Sequence, residues 1–350
     1  MVANMPARCS LEESSERAAR SGLSADIDLY AEGKATGFVR VPHSVHRSAY
    51  GWIPVPIVRI RNGEGPSVLL VAGNHGDEWE GQIGLGNLIR HIEPEDIRGR
   101  LIILPSANFP AALEGRRTSP IDQGNLNRAF PGDAHGTITQ QIAYWIEHAL
   151  LPGFDYACDF HSGGSSLIYI PSALVAHHPE PVILEKTIAL AKALGAPVTF
   201  ISKAPGGDRA FTSAASRQGV VALTTELGGG GFVTPQSLSI AEQGMRQVLA
   251  HVGLVQAPVP PPASTRLMET LGDDYYVYAS EGGLFEPLVE LGEEVSAGQP
   301  AGRIHFHHTP WREPEVVAFQ RSGLVICKRV PARCERGDCL FQLATTTSAY

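Results

Sequence analysis

The sequence is poor in the features that mark several protein classes. Its 350 residues hold five cysteines, Cys9, Cys158, Cys327, Cys334 and Cys339, an odd and scattered set. That usage disfavours a disulfide framework and suits free thiols in a reducing cytosol. Cys334 and Cys339 have no second pair to answer them, which weighs against a cysteine-bound metal. No apolar run approaches the ~20 residues of a membrane span. Glu12, Glu13, Glu16 and Arg17 stand where a secretion signal needs an apolar core. Long basic stretches are also missing. The 28 Lys and Arg are outnumbered by 36 Asp and Glu, a net charge of −8, so a nucleic-acid partner is disfavoured. With 43% hydrophobic and 18% charged residues, the chain is neither disordered nor membranous in composition. These absences predict a cytoplasmic globular protein that has no membrane partner. The length predicts one large and one small domain and leaves a homo-oligomer open.

What is present is an alternation of apolar runs and amphipathic segments. Residues 1–50 read as an extension, of which 1–25 form a polar lead-in, and the alternation begins near Gly51. Ser67 to Ala72 predicts a buried strand, and Glu78 to Ile92 a helix with Ile83, Leu85, Leu88, Ile89 and Ile92 on one side. Leu101 to Leu104 is a second buried strand. Thr139 to Leu151 predicts a helix, Phe154 to Phe160 a strand, and Pro181 to Leu194 a helix stopped by Gly195. Val220 to Leu227 reads as a strand ending in Gly228–Gly231, and Pro235 to Val252 as a last helix. Strands alternating with helices over 51–256 imply a layered α/β domain with a parallel or mixed sheet.

Composition changes at 257–263, where successive prolines predict a stiff linker. Residues 264–350 then read as a smaller all-β domain of short strands and glycine turns. Its pattern is similar to the barrel-sandwich of lipoyl and biotinyl domains. Those need a modifiable lysine in a hairpin turn, whereas the only lysine after the linker, Lys328, falls in an apolar strand. A cap over the catalytic domain is the better expectation. His305, His307 and His308 offer a second metal site on paper, against which stands their reading as a solvated turn.

The chemistry-bearing residues cluster at predicted strand ends, where α/β sheets bind ligands. His75-Gly-Asp-Glu78 places an imidazole and a carboxylate three residues apart, with Gly76 permitting the turn. On motif shape alone, a turn histidine beside an acid favoured by the helix dipole reads equally well. A catalytic zinc needs three protein ligands and an open position, and His161, in Asp-Phe-His, is the third candidate. Glu226 follows Val-Val-Ala-Leu-Thr-Thr at another strand end, and burial of an unpaired carboxylate there suggests use as a base. Its alternative is an exposed acid at the sheet edge. Between these lies a polar loop with Arg116, Arg117, Asn125, Asn127 and Arg128, suited to gripping a carboxylate and facing an oxyanion. Arginine-rich loops are otherwise mostly solvated surface.

The motifs GNHGDEWEG, PSANFPAALEGRRTSPID, NLNRAFPG, DFHSGG and TTELGGGG, in this order, resemble the succinylglutamate desuccinylase/aspartoacylase family of the zinc carboxypeptidase superfamily. The resemblance covers about 68–252 and implies a three-layer α/β/α zinc-carboxypeptidase-like domain with a mixed sheet. It implies one Zn2+ per subunit on His75, Glu78 and His161. It further implies Glu226 as general base and then proton donor, and Arg117 as the group polarising the scissile carbonyl. Arg116 competes for that last role. Asn127 and Arg128 would hold the substrate α-carboxylate. Many relatives have an acid at position 125, where this chain has Asn125 as the partner of a ligand imidazole. The longer Arg-Thr-Ser-Pro-Ile-Asp loop and the β tail resemble the subgroup of ectoine breakdown, which deacetylates N-α-acetyl-2,4-diaminobutyrate. Desuccinylation and N-acetylaspartate cleavage are alternatives, as is a non-enzymatic scaffold. A substrate with a side-chain ammonium predicts an acid in the pocket, for which Asp122, Glu281 and Glu286 are candidates.

Overall fold

The computed structural model describes residues 21–202 and 207–349. Residues 1–20, most of the lead-in and Cys9 among them, lie outside the described residues.

The sheet starts well before Gly51. Strands β1 (Ser24–Ala25), β2 (Gly33–Pro42) and β3 (Trp52–Asn62) open the fold, and β2 pairs antiparallel with β3 from Gly33↔Arg61 to Pro42↔Trp52. The sequence hid β2 because only Val39 and Val41 along it are buried. Next come β4 (Ser67–Ala72), α1 (Trp79–His91), β5 (Gly99–Leu104), α2 (Phe109–Glu114) and α3 (Ile138–Trp145). The helix expected over Thr139–Leu151 runs as an α-helix to Trp145 and widens into a π turn over Ile146–Leu150. It is followed by β6 (Tyr156–Phe160), β7 (Leu167–Tyr169), β8 (Ser172–Ala176), α4 (Pro181–Leu194) and β9 (Val198–Ser202). Then α5 (Phe211–Arg217), β10 (Val221–Glu226) and α6 (Pro235–His251) complete this part.

The strand order is β1-β2-β3-β5-β4-β6-β10-β8-β9. β4, β5, β6 and β10 run parallel to their mutual neighbours, while β8 is antiparallel to β10, so the sheet is mixed. Helices cover both faces. Val68, Leu70 and Ala72 of β4 pack with Leu85 of α1, Leu190 of α4 and Met245 of α6. Leu69 and Val71, pointing the other way, pack with Trp145 of α3 and Phe211 of α5. A strand buried on both sides needs an unbroken apolar run, which is why Ser-Val-Leu-Leu-Val-Ala was legible. The architecture is three-layer α/β/α.

Beyond the 257–263 segment, which carries no helix or strand, come the strands β11 (Arg266–Thr270), β12 (Tyr276–Tyr278), β13 (Gly283–Pro287) and β14 (Glu294–Val295). They are followed by β15 (Pro300–His305), β16 (Glu315–Ala318), β17 (Gly323–Arg329), β18 (Arg333–Cys334) and β19 (Cys339–Thr346). β11 pairs with β9, and β19, β17 and β14 carry the main sheet onward. β9 would otherwise end the sheet with unpaired backbone groups. β16-β15-β13-β18 form a second, antiparallel sheet, and Val277, Phe285, Phe319 and Phe341 fill a core of their own. Lys328 lies within β17 and pairs with Glu290, not at a hairpin tip. His305 pairs with Glu286 at 2.7 Å, and the three tail histidines form no metal-ligand cluster among the described residues.

Candidate active site

β4, β6 and β10 are neighbours, and their carboxyl ends open together. His75 lies in the turn after β4. Glu78 caps α1 with an extended backbone, and its carboxylate makes no capping bond. Thr224 pairs with Asp159, so two residues further on Glu226 comes level with His161. The Leu227 N–H donates to the His161 carbonyl at 2.9 Å. Glycine is needed at 76 because of close approach: a β-carbon there would stand 2.1 Å from the Ala111 carbonyl carbon. Gly228–Gly231 follow β10 with φ from +76° to +130°, a path that favours glycine, and a β-carbon at Gly229 would stand 2.4 Å from the Leu167 carbonyl oxygen.

These placements bring the three expected ligands together. The Glu78 carboxylate lies between two imidazoles, with Oε1 2.7 Å from His75 Nδ1 and Oε2 2.7 Å from His161 Nδ1. One ligand atom from each residue lies within 4.8 Å of the others, and all three residues are buried. The turn histidine and the acid at the start of the helix are thus joined by a second imidazole from another strand end. The far nitrogens are engaged separately. His75 Nε2 donates to Asn125 Oδ1 at 3.0 Å, and His161 Nε2 donates to Asp159 Oδ2 at 2.7 Å. Asn125 thus takes the orienting position expected of an acid, as a neutral group. With Nε2 as the donor, each ring turns Nδ1 toward Glu78, where two nitrogens and a carboxylate face one another. That donor set fits a catalytic zinc, including the outer hydrogen bonds such sites use.

Charge follows the same geometry. Burial opposes the charged form of Glu78, but the two imidazoles outweigh it and hold the carboxyl well below its ordinary range. Burial also disfavours the His161 cation, yet Asp159 and Glu78 push its pKa well up. His75, with one carboxylate and Arg117 beside it, is held down by burial. Glu226 is half-buried, with one buried carboxylate oxygen lacking a partner; desolvation, then the charge of Glu78, raises its pKa well above the usual.

A cavity of about 250 Å³ joins these groups and is lined also by Arg117, Asn127 and Arg128. Arg117 Nη1 lies 3.4 Å from Glu78 Oε1. Asn127 is held by the Phe211 N–H, which donates to Oδ1 at 2.8 Å. Arg116 is exposed and outside the cavity lining; its carbonyl accepts from the Gly76 N–H at 2.8 Å. Of the two arginines, only Arg117 lines the cavity. The pocket acids expected from the sequence need correction, because Asp122, Glu281 and Glu286 do not line it. Glu281 and Glu286 pair with Arg312 and Arg303 in the C-terminal region. Asp159, Tyr169, Tyr276 and Gln342 were missed. Asp159 had a signal, since residues two apart on a strand share a face with His161.

Asp122 instead pins the arginine loop to α3. It accepts from the Thr139 N–H at 2.7 Å, the Thr139 hydroxyl at 2.8 Å and the Gly124 N–H at 3.0 Å. Burial alone would raise its pKa, but these bonds together lower it. A carboxylate so depressed stabilises the fold above its unfolded pKa, near ~4, and loses that contribution as pH falls through the folded value. Asp122→Asn is expected to lower stability by about 1 kcal/mol at pH 7. Urea unfolding should show the gap between variant and wild type narrowing toward pH 3; a constant gap would disprove the charged role.

A model of the succinylglutamate desuccinylase/aspartoacylase catalytic domain matches residues 64–252. The chain belongs to this family. Among its relatives, the N-alpha-acetyl-L-2,4-diaminobutyric acid deacetylase of Halomonas elongata is 38% identical over 325 residues, 93% of this chain and 95% of that protein. The product-bound ectoine utilization protein EutE (DoeB) of Ruegeria pomeroyi superposes with a TM-score of 0.90 at 37% identity, covering 93% and 99% of the two chains. A succinylglutamate desuccinylase/aspartoacylase from Rhodobacter sphaeroides gives 0.88 at 37% identity over the same shares. The family's α/β fold with an added antiparallel sheet is the one described above.

Proposed function

We propose that this chain is a zinc-dependent deacetylase that hydrolyses N-α-acetyl-L-2,4-diaminobutyrate to 2,4-diaminobutyrate and acetate in ectoine breakdown. The observation carrying this reading is the convergence of His75, Glu78 and His161 at the floor of one cavity that also holds Glu226. The relative of that name at 38% identity supports the substrate.

Zinc on those three ligands would polarise the amide carbonyl and make water more acidic. Glu226 accepts the proton of the attacking water, then delivers it to the amide nitrogen as the C–N bond breaks. Desolvation and the nearby Glu78 charge raise its pKa above the ordinary carboxylate range, toward that of a group that both takes and returns a proton. Arg117 reaches the cavity beside Glu78 and faces the oxyanion that forms as water adds. Arg128, with its Nη1 donating to the Asn127 carbonyl at 2.7 Å, is positioned with Asn127 to grip the substrate α-carboxylate. A cytoplasmic location fits the four free cysteines among the described residues. No described helix is long and apolar enough to cross a membrane.

The test is a rate comparison on N-acetyl-2,4-diaminobutyrate, N-acetylaspartate and succinylglutamate, with and without a chelator. The first should be cleaved fastest, and metal removal should abolish turnover until zinc is restored. Chelator-resistant cleavage would refute the metal role, and a faster rate on either alternative would refute the substrate.

A further inference from the structure

The C-terminal strands supply part of the catalytic cavity. Tyr169 of β7 pairs with Cys327 of β17, Cys327 with Gln342 of β19, and Gln342 with Tyr276 of β12. Directly paired residues present their side chains on one face of a sheet, so these four form a single row across four strands. Tyr169, Gln342 and Tyr276 of that row line the cavity. Cys327, small and fully buried, lies between Tyr169 and Gln342, and the Tyr169 hydroxyl spans it to donate to Gln342 Oε1 at 3.2 Å. Tyr276 hydrogen-bonds Ser202 from the end of β9. The row is therefore held from both sides.

Resting on the deacetylase reading, we infer that this row is the subsite for the substrate's amino-acid side chain, accepting a short chain tipped with an amine and rejecting a carboxylate. The argument is one of charge. Among the described residues, every charged one lining the cavity belongs to the His75, Glu78 and His161 cluster, its Asp159 partner, Glu226, or the two arginines. Arg128 is taken by the α-carboxylate and Arg117 by the developing oxyanion. The second carboxylate of an N-acyl aspartate or glutamate would be buried with no further cation among the described lining residues to meet it, a strongly unfavourable arrangement. An ammonium instead meets the hydroxyl oxygens of Tyr276 and Ser202 and the ring faces of Tyr276 and Phe200, while Leu174 and Phe200 cover its methylenes. A pocket acid, sought in the sequence at Asp122, Glu281 and Glu286, is not required for this recognition.

The experiment compares the zinc-loaded wild type, Tyr276→Phe and Gln342→Lys on three substrates. These are N-acetyl-2,4-diaminobutyrate, N-acetyl-2-aminobutyrate, which has the same length to Cγ without the amine, and N-acetylaspartate. Tyr276→Phe should lower kcat/KM on the amine substrate about tenfold more than on N-acetyl-2-aminobutyrate. Gln342→Lys introduces a cation and should raise the ratio of N-acetylaspartate to N-acetyl-2,4-diaminobutyrate turnover by about tenfold or more. Equal losses on both neutral and amine substrates in Tyr276→Phe, with the wild type still fastest on the amine substrate, would overturn the subsite while leaving the deacetylase reading intact. A wild type that cleaves N-acetylaspartate as fast as the amine substrate, or that cleaves none of the three, would overturn both.

Discussion

Glu226→Gln is expected to lower kcat by about 10³-fold while KM changes by less than about threefold. The amide keeps the size of the side chain and its place at the end of β10, so the cavity retains its shape. It cannot take a proton from water, nor return one to the leaving amine. Both halves of the reaction therefore fail together. Stability should not fall, because the substitution removes a carboxyl that has a buried, unpartnered oxygen and lies in the field of Glu78. Zinc content should stay at the wild-type level, which separates this variant from a ligand variant. Steady-state kinetics with metal analysis checks all three points. A Gln variant retaining more than about a tenth of turnover would show that another group is the base.

His161→Ala is expected to abolish measurable activity and to reduce bound zinc to below about one-tenth per chain. It deletes one of three ligands and breaks the 2.7 Å contacts that His161 makes with Glu78 and Asp159. The outer partner provides a graded control. Asp159→Asn keeps a hydrogen-bond acceptor beside His161 Nε2 but removes its charge, and such changes typically weaken zinc binding by roughly 10–100-fold. Zinc titration should therefore rank wild type above Asp159→Asn and Asp159→Asn above His161→Ala. Equal affinity of the wild type and Asp159→Asn would mean that the carboxylate does not tune the ligand. Full zinc occupancy in His161→Ala would remove the metal centre as placed here.

Legibility of the fold varied with how locally each element is specified. Pro181–Leu194 matches the expected helix end for end, because proline opens it and Gly195, at φ +73°, closes it. The strand Ser67–Ala72 was equally plain, being buried on both faces. β2, β7, β8 and β9 were not predicted as strands. β2 is largely exposed, β7 is three residues long, and β8 follows β7 after only two residues. None offers a long period to read. The site followed the same rule. His75 and Glu78 are three residues apart and share one turn, and His161 and Glu226 announce themselves at strand ends. Asp122 carries an acid's chemistry in the right loop, yet its partners in α3 direct it away from the cavity.

By itself, then, the amino-acid order determined the layered α/β core and which groups could meet: the His75, Glu78 and His161 donor set, the Glu226 carboxylate and the arginine loop. Each depends on neighbours within a few positions or on a strand terminus, and such short-range signals survive in one dimension. Tertiary structure alone decided which arginine faces the cavity, what orients each imidazole, and that residues 276 and 342 reach a centre built from positions 75 to 226. Those outcomes are set by the register of β7, β12, β17 and β19 and by the pairing of β11 with β9. Pairing between strands this far apart is a property of the folded sheet, since no local pattern records which edge a strand will join.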